Sequence, residues 1–185
     1  FRVLATWSAE EAAALAGGAY DALFDLAQDI GLPVCVFVPG HVGLLPRYLR
    51  KYSRLQFVLD HLGIGMRGHP PGRSADEEAW TTDPAYLDEV LKLAEFPNFA
   101  VKISHAPMLL QAGPYPFEAV RPHLRRAIEA FGVERLMWAS DATVMPHYAW
   151  ADLLGYLRLD PELSDDEKAW LLGRTARKVF SWPLA

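Results

Sequence analysis

Phe57-Val58-Leu59-Asp60-His61-Leu62-Gly63 joins a short apolar run to two ionisable side chains and a glycine. The apolar residues, from Leu55 to Leu59, are too few for a helix and read as a buried strand. The same construction recurs twice: Phe99–Ile103 leads into Ser104-His105, and Arg135–Trp138 leads into Ala139-Ser140-Asp141. Two further runs have strand character, Phe1–Ala5 and Pro33–Val38. The second is apolar throughout, as expected of a strand covered on both faces.

Helical patterns lie between these runs. Gly18–Ile30 aligns Ala19, Leu23, Leu26 and Ile30, and Gly31 ends it. Leu44–Lys51 predicts a short helix. Asp83-Pro84 predicts an N-cap and first turn, followed by Leu87, Val90, Leu91 and Ala94 on one face. Phe117–Phe131 aligns Val120, Leu124, Ala127 and Phe131 and closes at Gly132. Ser164 and Glu167 have the spacing of a capping box, and Leu171, Leu172 and Val179 supply apolar positions to the closing helices. Gly63–Thr82 and His105–Tyr115 read as loops. Strand–helix alternation predicts an α/β fold with parallel strands and right-handed crossovers. Five strands fit an open doubly wound sheet or the last part of an eight-stranded barrel. Both place their sites at the carboxyl ends of the strands.

Composition narrows the function. In 185 residues, 51% are hydrophobic and 22% charged, which predicts a soluble globular domain. A net charge of -5 gives no reason to expect nucleic acid or an anionic membrane as partner. The single cysteine, Cys35, excludes an internal disulfide and reads as a buried inert thiol. No apolar stretch reaches the roughly 20 residues of a membrane span. Phe1-Arg2-Val3-Leu4-Ala5 does not resemble a signal peptide, so the cytoplasm is the expected compartment. The chain starts inside a strand and reads as cut from a longer protein.

An imidazole and a carboxylate on neighbouring strand ends can hold a divalent ion and a water. The carboxylate can instead act as a general base while the imidazole polarises a carbonyl. Both residue types also have plain structural uses, as an aspartate N-cap or a hydrogen-bonded core histidine.

Sequence motifs narrow the choice. Phe57–Gly63 resembles the "DHLG" strand end of the amidohydrolase-2 family, which contains lactonases and decarboxylases on a TIM barrel. Phe96–Ser104 resembles its "PNV.VKLS" segment, and Phe131–Asp141 its "FG.DRLMWGSD" strand. Pro114-Tyr115-Pro116 before a helix, and Leu163–Glu167 followed by Gly173–Phe180, are similar to its later parts. The resemblance implies a (β/α)8 TIM-barrel type fold of which this chain covers about strands four to eight. It implies that His61 closes the sixth strand as a catalytic or substrate-polarising group. Asp141 closes the eighth as the base on an attacking water, and the pair are the implied ligands of a divalent metal, zinc or manganese. Two departures bear on that metal. The family's HxH pair is absent from this sequence, and Phe37 stands where a fifth-strand histidine is expected.

Further candidates follow from the same mapping. Arg2 matches the family's "GFR" position and is suited to clamp a substrate carboxylate. Arg67 lies in the loop after His61. His105 stands where the family usually has glycine and is placed to reach the pocket. Tyr115 can donate a hydrogen bond to substrate, and His147 can line the mouth. His41, His69 and His123 read as loop or surface residues, and Trp80, Trp138 and Trp150 as packing groups. Asp60, by strand alternation, points away from His61 and reads as structural. The resulting expectation is a hydrolase that adds water to the carbonyl carbon of a small anionic substrate such as a lactone. A metal-dependent decarboxylase of the same family, and an inactive partial barrel serving only for association, are the alternatives. A homo-oligomer is compatible with either enzyme.

Overall fold

Short apolar runs alternating with amphipathic segments wind this chain in one direction. The computed structural model describes residues 1–6, 8–64, 66–67, 81–82, 84–145 and 147–182. Strand β1 (Arg2–Leu4) is followed by helices α1 (Ala9–Gly17) and α2 (Asp21–Asp29). Strand β2 (Val34–Phe37), helix α3 (Pro46–Lys51) and strand β3 (Phe57–Leu59) come next. Strands β4 (Met66–Arg67) and β5 (Thr81–Thr82) precede helix α4 (Leu87–Lys92) and strand β6 (Phe99–Ile103). Helices α5 (Ala106–Leu109) and α6 (Val120–Phe131) lead to strand β7 (Leu136–Trp138). Helices α7 (Trp150–Arg158), α8 (Asp165–Ala169) and α9 (Thr175–Val179) close the chain, with a π-helical turn, Trp170–Arg174, between the last two.

The main sheet has the order β1-β2-β3-β6-β7, and every pairing in it is parallel. A doubly wound sheet reverses direction at a switch point. This order never reverses, so the winding is that of a barrel. β4 and β5 form a separate antiparallel ribbon.

Side-chain alternation divides the sheet into two faces. Val34, Val36, Phe57, Leu59, Phe99, Val101 and Leu136 join the helix layer in the larger core. Cys35, Val58, Ala100 and Met137 form a smaller core with Val179 of α9, against which Ala176 and Phe180 pack. This second face also carries charge. Asp60 has a fully buried side chain, 2.8 Å from Arg2 Nε and 2.8 Å from Lys102 Nζ. Lys102 Nζ also lies 3.2 Å from Cys35 Sγ. Removing the carboxylate leaves the largely buried Lys102 ammonium uncompensated. Asp60→Asn is expected to cost about 2 kcal/mol in urea unfolding. This is less than the roughly 3–5 kcal/mol of a fully buried broken pair, because Arg2 is half exposed. A loss under about 0.5 kcal/mol would show the cluster to be no more than a surface ion pair.

The structure corrects several local readings. Gly18 does not begin a helix; it ends α1 in the left-handed conformation, φ 89°. That helix starts at Ser8, whose hydroxyl accepts from Glu11 N–H, and its run of alanines shows no apolar stripe to read. In α2 the expected face is reversed: Leu23, Leu26 and Ile30 are exposed, and Phe24 and Ala27 are buried. Phe24 wins because it meets the edges of Tyr48, Tyr52 and Phe57 at 5.1, 5.7 and 5.3 Å. The segment read as one long loop contains the β4–β5 ribbon, and the His105–Tyr115 loop contains α5. Asp83, the expected N-cap of the following helix, lies outside the described residues. The Ser164–Glu167 capping box forms as expected. Among the described residues, no helix is long and apolar enough to cross a membrane.

Candidate active site

Three strands deliver side chains to one point. His61 follows β3, His105 follows β6 and Asp141 follows β7, with φ of 54°, 58° and 48° respectively. For L-residues the left-handed region costs roughly 1–2 kcal/mol each. Three such residues in contact mark a place where the backbone bends to aim side chains. Gly63 lets the first bend pack. Its φ is 61°, and a Cβ there would lie 2.7 Å from Val42 Cγ1 and 2.8 Å from Leu59 Cδ2.

Asp141 Oδ2 lies 2.9 Å from His105 Nε2 and 3.4 Å from His61 Nδ1. The two imidazoles stack, with centroids 4.6 Å apart and planes 19° from parallel. Phe37 meets His61 edge-on at 5.3 Å. Ser104 Oγ accepts from His61 N–H at 3.2 Å and lies 2.7 Å from His61 Nδ1, which fixes the ring. Neither nitrogen of His105 forms an aligned hydrogen bond among the described residues, although the side chain is almost wholly buried. Burial pushes both imidazoles below the ordinary histidine value of 6.5. His105 falls to about 4, through burial first and then the neighbouring His61. Both rings are therefore neutral at pH 7, and each keeps one lone pair.

One donor atom from each of His61, His105 and Asp141 can be chosen so that all three lie within 4.8 Å of one another. Two imidazoles and a carboxylate are a donor set that suits a divalent transition metal and leaves coordination positions open. The residues present therefore fit such an ion.

The other expected site residues fall elsewhere. Arg2 is held by Asp60, with half of its side chain exposed. Tyr115 turns its ring edge toward Phe117 and sets its hydroxyl against Gly155 of α7. Arg67 pairs in the ribbon through its backbone; its side chain lies outside the described residues, as do His69 and Trp80. His147 is exposed. His41 is also exposed, with Nδ1 2.9 Å from Pro39 O. His123 is half-buried beside a small apolar cavity lined by Leu62, Leu110 and Leu124, rather than on the surface. Trp138 packs on Trp150 and donates to Leu153 O, and Cys35 is buried. Sequence reading singled out neither Ser104 as a partner of His61 nor Phe37 as its wall. Their signal was position: Ser104 precedes His105, and Phe37 ends the neighbouring strand.

Parallel strands wound in one direction, with imidazole and carboxylate groups at their carboxyl ends, define the α/β-barrel class. The chain belongs to the amidohydrolase family, whose sequence model matches residues 4–182. It is 35% identical over 117 residues to the L-fucono-1,5-lactonase of Burkholderia ambifaria, covering 63% of this chain and 36% of that protein. A zinc-bound amidohydrolase of Burkholderia multivorans superposes with a TM-score of 0.76 at 21% identity, covering 99% of this chain and 64% of its own. The 5-carboxyvanillate decarboxylase of Sphingomonas paucimobilis has the same fold, with a TM-score of 0.54 at 19% identity over 86% of this chain and 52% of its own. The chain thus spans about a third of the lactonase and just under two thirds of the zinc-bound amidohydrolase.

Proposed function

We propose that this chain carries the water-activating end of a hydrolase that opens small lactones. The observation that carries the reading is the convergence of His61 and His105 on the Asp141 carboxylate at the ends of three adjacent strands. The identity to a lactonase supports the substrate class. In this reading Asp141 takes a proton from the attacking water, and His61 polarises the lactone carbonyl and steadies the developing oxyanion. Arg2, anchored through Nε on Asp60 and half exposed, orients an anionic group of the substrate in this reading. Zinc or manganese would be held by His61 and Asp141. Such an ion, when bound, supplies Lewis acidity and an acidified water.

The test is a panel of sugar 1,5-lactones, simple esters and aromatic carboxylic acids, read by proton release and by CO2 release. Proton release with lactones is the expected result. CO2 release from the aromatic acids without lactone opening would replace this reading with the decarboxylase.

A further inference from the structure

We infer that His105 is a metal ligand, completing with His61 and Asp141 a three-donor site for a divalent ion of the zinc class, built from the ends of β3, β6 and β7. The inference takes its purpose from the proposed function, but its support is geometric.

The first argument is distance. Nitrogen and oxygen ligands of a tetrahedral zinc lie about 2.0–2.2 Å from the metal, which places them roughly 3.3 Å from one another. The Asp141 carboxylate already stands 2.9 Å from one imidazole and 3.4 Å from the other. All three donor atoms lie within 4.8 Å of one another, so side-chain adjustment of about an ångström brings them to coordinating distance. The stacked arrangement helps, because it brings one nitrogen of each ring beside the same carboxylate oxygen.

The second argument is that His105 is unaccounted for as a structural residue. Buried side-chain polar groups are hydrogen-bonded in the large majority of cases. His105 is 4% exposed, has no aligned hydrogen bond among the described residues, and sits in a left-handed backbone conformation. Burial and strain act against folding, and the 2.9 Å contact with Asp141 and the ring stack on His61 offset only part of this. A ligand on the open side of the cluster resolves the conflict. Phe37, on the other flank of His61, presents only hydrocarbon, so the second imidazole donor of this cluster is His105. Coordination at His61 Nδ1 takes the place of that nitrogen's hydrogen bond to Ser104 Oγ, which stays held by His61 N–H at 3.2 Å.

The experiment uses chelator-stripped protein titrated with Zn2+ by calorimetry and with Co2+ by visible absorption and proton NMR. One ion per chain is expected, with the strong visible bands of low-coordinate cobalt and paramagnetically shifted N–H signals from two histidines. His105→Asn, chosen because asparagine tolerates the left-handed backbone, is expected to weaken Zn2+ binding at least tenfold with an unchanged Tm. Absence of a stoichiometric ion, a single shifted histidine signal, or a folded His105→Asn variant that binds like the parent would each overturn the assignment. The NMR count needs no variant, so it decides the matter even if His105→Asn fails to fold. Lactone opening is measured on the same samples. Activity without metal binding defeats this inference and spares the proposed function; metal binding without lactone opening does the reverse.

Discussion

For the proposed lactone opening, Asp141→Asn is expected to lower kcat/KM by about a thousandfold, with little change in KM. The amide has the shape of the carboxylate but cannot take a proton from water at neutral pH. Positioned acid–base groups contribute typically 10²–10⁴-fold, so a loss near the middle of that range is expected. The fold should tolerate the change. Asp141 has φ 48°, a conformation asparagine accepts as readily as aspartate, and its side chain is partly exposed. Circular dichroism and Tm should therefore match the parent. A folded variant that retains turnover within threefold of the parent would remove Asp141 from the proton-transfer step.

The second large effect is acid sensitivity of the stripped protein. Burial holds the His105 ring at about 4 against an ordinary value of 6.5, and lowers His61 in the same direction. The folded state therefore prefers neutral rings, while the unfolded chain takes up protons as pH falls below 6.5. Stability is at its full value above that point, declines between pH 6.5 and about 4, and changes no further from this cause below it. His105 alone accounts for about 3 kcal/mol across the window. Urea midpoints at pH 7, 6, 5 and 4.5 measure the decline. The difference between parent and His105→Asn curves isolates the share of this ring. Equal midpoints at pH 7 and 4.5 would mean that the two rings are solvated rather than buried.

Much of this arrangement was legible in the sequence. The runs at Phe57–Leu59, Phe99–Ile103 and Leu136–Trp138 are short, apolar and followed by ionisable residues, and they form adjacent parallel strands. Alternation read Asp60 as a structural residue pointing away from His61, but gave no sign of Arg2 and Lys102, the cations that pair with it. What stayed hidden has physical causes. The alanines of α1 show no stripe because nearly every position is small and apolar. α2 offers two apolar faces, and the choice between them depends on Tyr48 and Tyr52, which arrive from a later helix. β4 and β5 are two residues each, too short to show a period. The meeting of His105 with Asp141 depends on backbone bends that no side-chain pattern announces, since nothing in the sequence marks a histidine for the left-handed region.

Those bends matter for anyone who would engineer this protein for heat resistance. At positions 61, 105 and 141 the backbone suits glycine better than the residue it carries. At Asp141, whose side chain is partly exposed, a screen that rewards thermal survival alone can select glycine, and that gain empties one corner of the site. Libraries built on this scaffold should hold the three positions fixed and seek stability elsewhere. The exposed leucines of α2 offer one starting point, because replacing them asks nothing of the chemistry.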